Sequence, residues 1–186
     1  MKKMDKPLWE NIGLDESNRE KYPAIYVAVT SNNYQDIKEK KEKNELYSKI
    51  RAPKNIDKKL SRRDYSFLLL TESDNCFIKS NKKIGIVLAS LLYKEPISDH
   101  LNIYVDGQWT RKVVDFSIGV LSELTGLEKD LIRIHTGKGL DEKIGLVNIA
   151  DEAAYWLLKK SLAKLRESPY KEHKKNLLLN RFKDFL

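Results

Sequence analysis

Hydrophobic and polar positions alternate most cleanly over residues 101–107, where Leu101, Ile103 and Val105 interleave with Asn102, Tyr104 and Asp106. This period of two predicts a central strand with one aliphatic face, one mixed face and a carboxylate at its end. The same reasoning predicts strands over 12–16, 23–30, 65–71 and 131–135, the second of them rich in β-branched and aromatic residues. The short polar stretch 17–21 makes the first two an antiparallel hairpin. Residues 84–93 are apolar enough for a helix closed by Pro96, and Val113, Val114, Ile118, Val120, Leu121 and Leu124 mark a second, stopped by Gly126. A third begins near 148–151, turns Ala153, Ala154, Leu157, Leu158, Leu162 and Leu165 inward, and ends before Pro169.

Between the second and third strands the pattern changes. Residues 33–64 are charged, with Ile37, Leu46 and Ile50 as sparse apolar anchors, and contain eleven Lys and Arg, among them Arg62 and Arg63. The stretch is predicted to be a helical insertion. It is either a solvated face or an arm that grips phosphates. Beyond 165 a basic segment carrying Leu178, Phe182 and Phe185 is expected to pack back as a helical extension, 166–186, of a single domain spanning 8–186.

The order of elements implies a mixed sheet. Three meandering strands come first, and right-handed crossovers then place the later strands parallel to the first. A length of 186 residues suits one such domain. Composition adds less. The 35 Lys and Arg against 27 Asp and Glu give a formal charge of +8, which favours a polyanionic partner but speaks to association rather than to fold. Cys76 is the single cysteine, so an intramolecular disulfide and a multi-cysteine zinc site are excluded and a reducing cytoplasm is the expected compartment. Residues 1–6 are basic, but Pro-Leu-Trp-Glu follows rather than an apolar signal core, and the longest nearly uncharged run is half of what spans a bilayer. No membrane association is expected.

Candidate chemistry rests on three acids: Asp106 at the end of the central strand, Asp15 at the end of the first, and Asp151 at the start of the last helix. Each has an ordinary reading as well. Asp106 before Gly107 suits a turn, Asp15 can open a polar loop, and Asp151 suits a helix's first turn, where the dipole favours an acid. What those readings leave unexplained is the joint placement. Hard oxygen donors at three separated positions are what two Mg²⁺ or Mn²⁺ ions need when they share one carboxylate and keep positions open for phosphate and water.

The strand order together with Gly13-Leu14-Asp15-Glu16-Ser17 and Ala150-Asp151-Glu152-Ala153-Ala154 resembles the ribonuclease H-like superfamily over most of residues 12–165. The first motif is similar to the Asp-Glu opening of type 2 ribonucleases H and to the Asp-Glu-Ser first strand of several uncharacterised prokaryotic branches. The resemblance implies a five-stranded sheet of order 3-2-1-4-5 with strand 2 antiparallel, and first and fourth strands adjacent so that Asp15 lies beside Asp106. It also implies a divalent-metal nuclease acting on RNA, a hybrid duplex or structured DNA. Asp15 would bridge two ions, and Asp106 and Asp151 would each hold one. The alternative is an inactive member of the fold that binds nucleic acid or protein.

The superfamily commonly adds a carboxylate from the first core helix, and 82–93 has none. Glu16 is the preferred substitute, ahead of Glu72 and Glu152, although alternation along a strand would turn it away from Asp15. His135 is either a plain strand-end histidine or, as in some superfamily members, a group that assists product release or proton transfer. Lys138, in the loop 136–140, is a candidate phosphate contact. Trp109 is either core or a surface on which bases stack.

Overall fold

The computed structural model describes residues 8–17, 24–40, 47, 56–72, 80–93 and 95–167, with backbone only at 57, 80, 81 and 160–167. The expected hairpin loop, the anchors Leu46 and Ile50, Cys76 and the extension beyond 167 lie outside these residues. Five strands form the sheet: β1 Trp9–Ser17, β2 Ala24–Thr30, β3 Asp64–Leu70, β4 Ile97–Asp106 and β5 Ile132–Gly137. Their order is β3-β2-β1-β4-β5, with β2 antiparallel to both β1 and β3, and β4 parallel to both β1 and β5. The fold is therefore the open, mixed sheet that the pattern implied.

The helices are α1 Tyr34–Ile37, α2 Ile56–Leu60, α3 Ser80–Leu92, α4 Arg111–Thr125, α5 Leu140–Lys143 and α6 Gly145–Glu167. Alternation along the strands sorts the core into two layers. Ile12, Leu14, Tyr26, Leu101, Ile103 and Val105 bury with Val87, Leu88, Leu91 and Leu121 on the α3–α4 face. Ile25, Val27, Val29 and Leu69 bury with Leu146, Val147, Ala150 and Ala154 on the α6 face, where Ile56 and Leu60 of α2 join them. β2 is buried at every position because it is covered on both sides.

Two expectations are corrected. The last helix starts at Gly145, not near 148–151, so Asp151 stands in its second turn and the first-turn dipole no longer accounts for it. Among the described residues of the charged stretch 33–64, only Tyr34–Ile37 and Ile56–Leu60 are helical; 38–40 and 61–63 are not, and β3 begins at Asp64. Two shorter corrections concern ends. β5 runs on through Gly137, and the expected loop 136–140 shrinks to a turn at Lys138 and Gly139 because α5 begins at Leu140. Gly126 ends α4 as anticipated, its N–H donating to the Ser122 carbonyl.

A candidate carboxylate site at the carboxyl ends of β1 and β4

Register sets the acids side by side. Gly13 pairs with Tyr104 and Leu14 with Val105, so Asp15 and Asp106 occupy the next positions on parallel neighbours about 4.8 Å apart. Leu14 and Val105 bury on the α3–α4 face. Asp15 and Asp106 therefore point to the other face, the one that α6 covers.

Gly13 governs how closely α6 lies against that face. A Cβ at residue 13 would stand 2.4 Å from the Leu146 carbonyl oxygen, a separation no real side chain tolerates. With hydrogen there instead, the first turn of α6 rests directly on β1. From this contact Asp15 is two strand residues onward, about 6.8 Å, and Asp151 is five helix residues onward, about 7.5 Å. The near-equal steps bring both acids to the same end of the sheet.

A fourth acid joins them from an element the sequence did not announce. Gly139, at φ +74°, turns the chain into α5, and the Leu140 N–H donates to Asp106 Oδ1 at 2.9 Å. The next residue, Asp141, is only 5 % exposed. It missed notice because 136–140 reads as a flexible basic loop. The available signal was Leu140 and Ile144 at helical spacing around an acid just past a glycine.

The electrostatics of Asp15 report this company. Burial, above all, pushes its pKa well above the ordinary carboxylate value; the Glu16 N–H, donating to Oδ1 at 2.7 Å, opposes the shift, while Asp151, Asp106 and Asp141 add to it. Carboxylates that raise one another's pKa repel when charged, and a hard divalent cation relieves that repulsion. The donor chemistry thus fits Mg²⁺ or Mn²⁺. The spacing is more restrictive, since among the described residues no group of three or more His, Cys, Asp or Glu side chains is placed to hold one ion together. Electrostatic influence reaches farther than coordination, so the acids are neighbours without converging on a single point.

The remaining candidates distribute as follows. β1 continues through Ser17, so Glu16 points to the α3–α4 face, at the rim of a small cleft lined by Leu14, Asp15, Tyr26, Ile84, Val105, Asp106 and Trp109. Trp109 packs against that face's core. His135 pairs in register with Tyr104 and stacks on its ring, with centroids 4.8 Å apart, on the same face as Asp15 and Asp106. Burial and Arg133 hold its pKa below the ordinary imidazole value. Lys138 is exposed in the turn after β5, next to Gly137, whose carbonyl accepts the Gly107 N–H. Arg62 and Arg63 directly follow α2. The Arg63 guanidinium is taken up by Asp36, with Nε and Nη2 each donating at 2.9 Å, and Arg62 is exposed. Glu152 is fully buried on α6, where Lys59 Nζ reaches its Oε2 at 2.6 Å.

A sheet of this order, antiparallel at β2 and covered by helices on both faces, is a ribonuclease H-like fold. Among solved structures, the chain is similar to ribonuclease HII of Archaeoglobus fulgidus from its complex with PCNA, at 16% identity and a TM-score of 0.57 over 93% of this chain and 88% of that one. It is also similar to ribonuclease H2 of Pyrococcus horikoshii OT3, at 17% identity and a TM-score of 0.57 over 89% and 79%. Likeness at this level carries the fold. No family profile and no curated protein matches the chain.

Proposed function

We propose that the protein is a divalent-metal-dependent nuclease that hydrolyses phosphodiester bonds in RNA, a hybrid duplex or structured DNA, within a prokaryotic branch marked by the Asp-Glu-Ser first strand. The observation that carries this reading is the placement of Asp15 beside Asp106 at the carboxyl ends of β1 and β4 on one face of a ribonuclease H-like sheet, where burial first and then Asp151, Asp106 and Asp141 oppose the ionisation of Asp15. Asp15 would be shared between two ions, with Asp106 and Asp151 each completing one pair and Asp141 as the fourth carboxylate. Pairwise sharing suits acids of which no three converge. Bound Mg²⁺ or Mn²⁺ would supply charge to activate water and to stabilise the leaving 3′-oxygen.

The chain's own groups have distinct tasks. The Leu140 N–H fixes the Asp106 carboxylate, so that acid is oriented before any ion arrives. Its depressed pKa keeps His135 neutral near pH 7, able to accept a proton beside the reacting face. Lys138 would steady a substrate phosphate at the same end of the sheet. Glu16 approaches from the opposite face, so Asp141 is the better-placed fourth carboxylate. The single Cys76 remains compatible with a reducing cytoplasm, and among the described residues no helix is long and apolar enough to cross a membrane.

A second reading, an inactive module of the same fold that binds nucleic acid or protein, is favoured by the acids' failure to converge in threes. Cleavage of labelled RNA, hybrid and branched DNA with Mg²⁺ separates the two. The nuclease reading expects cleavage that Asp106→Asn lowers by roughly 10²–10³, the scale of losing one preorganised charge-stabilising group. Binding without cleavage by the wild type supports the module.

A further inference from the structure

We propose that a basic pocket behind α2, separate from the acids, is an anchoring site for a backbone phosphate of the nucleic acid; this rests on the nucleic-acid reading above. The pocket encloses about 380 Å³ between the end of β2 and the residues of and after α2, and is lined by Ser31, Asn33, Asp36, Lys58, Lys59, Arg62 and Arg63.

Its charges do not cancel. Asp36 is spoken for by the Arg63 guanidinium and by the Ser31 hydroxyl, which donates to Oδ2 at 2.6 Å. Lys59 is committed to the buried Glu152. Lys58 and Arg62 are left, both exposed and, among the described residues, without an ion-pair partner. Two exposed positive charges lining one cavity, beside the Arg63–Asp36 fork, can meet a single phosphodiester group there.

Its place in the fold makes the pocket an anchor and not part of the reacting centre. Ser31 follows Thr30, which pairs with Ile12, whereas Asp15 pairs with Val27. Three strand residues, about 10 Å, separate the two levels along β1. A polyanion reaching from the acids to Lys58 and Arg62 must therefore be longer than a dinucleotide.

Binding of a labelled duplex is to be measured against salt for wild type, Lys58→Ala/Arg62→Ala and the charge-keeping Lys58→Arg/Arg62→Lys. Each phosphate contact contributes about −0.9 to the slope of log K against log salt, so the alanine pair should flatten it by about 1–2 while the charge-keeping pair preserves it. An unchanged slope in the alanine pair, with wild-type binding intact, overturns the anchor and leaves the nuclease reading standing. No duplex binding by the wild type overturns both. If inorganic phosphate binds the wild type and not the alanine pair while the duplex salt slope is the same in both, the pocket is a free-phosphate site and the anchor is overturned.

Discussion

Asp15 carries two opposed effects: the Glu16 N–H favours its charged form, while burial and three neighbouring acids disfavour it, and burial dominates. Because the folded-state pKa is raised, the proton is held more tightly in the native than in the unfolded chain. The resulting stability is fully present below the unfolded pKa and is lost as pH rises through the folded one. In EDTA at pH 8, Asp15→Asn should therefore raise the melting temperature, by about 2–4 °C for each kcal/mol of relieved repulsion in a chain of this size. Differential scanning calorimetry with and without Mg²⁺ checks this, and the gain should vanish or reverse with the cation present. Asp141 and Glu16 separate at the same scale. Asp141→Asn should weaken Mn²⁺ binding by roughly 10–100-fold, whereas Glu16→Gln, facing the other layer, should change it less than threefold. Glu16 was legible as a candidate because it adjoins Asp15 in sequence. That adjacency is what turns it away in a strand.

Among the elements, the docking of α6 on β1 does most to build the site. Gly13→Ala would drive a Cβ into the Leu146 carbonyl, costing about 1–3 kcal/mol by overpacking. It should also shift Asp151 away from Asp15, so cleavage should fall by more than the loss of folded protein, measured at a temperature where the variant remains folded. α2 is tied to α6 through Lys59 and Glu152. Lys59→Met leaves a fully buried carboxylate unpaired and should cost about 2–4 kcal/mol, reduced from the fully buried case because Lys59 is partly exposed; Glu152→Leu added to it should recover most of that in urea titrations. The strands and long helices were legible because each has a clean period and a definite stop, such as Gly126 or Pro96. α5 was not, because four residues are too few to display a period. It is defined instead by the turn at Gly139 and the hydrogen bond from Leu140 to Asp106.

At the scale of the whole molecule, the sequence pattern was enough for a mixed sheet, a meander followed by parallel crossovers, whereas the strand order and the placing of Asp15 beside Asp106 came from the resemblance to the ribonuclease H-like superfamily. The pattern was not enough for the start of α6. Residues 145–147 are Gly-Leu-Val, which read as connection until the contact between Gly13 and Leu146 is seen. Nor could it divide the basic residues by role. Arg63 is consumed by Asp36 within the fold, while Arg62 beside it stays exposed over the pocket. The basic residues around α2 thus separate into cations paired within the fold, Lys59 and Arg63, and exposed ones, Lys58 and Arg62.

Isothermal titration of the protein with Mn²⁺ in buffers of different ionisation enthalpy addresses the carboxylate site directly, since it counts ions bound and protons released without requiring a substrate. The expected result is uptake of two ions, with a proton release that grows as the pH is lowered, because burial and the neighbouring acids raise the Asp15 pKa and a cation favours its charged form; Asp15→Asn should remove that release and most of the binding. Titration curves for wild type and Asp15→Asn that coincide, or a wild type that takes up no Mn²⁺ at millimolar concentration, would contradict the reading of these acids as a divalent-cation site.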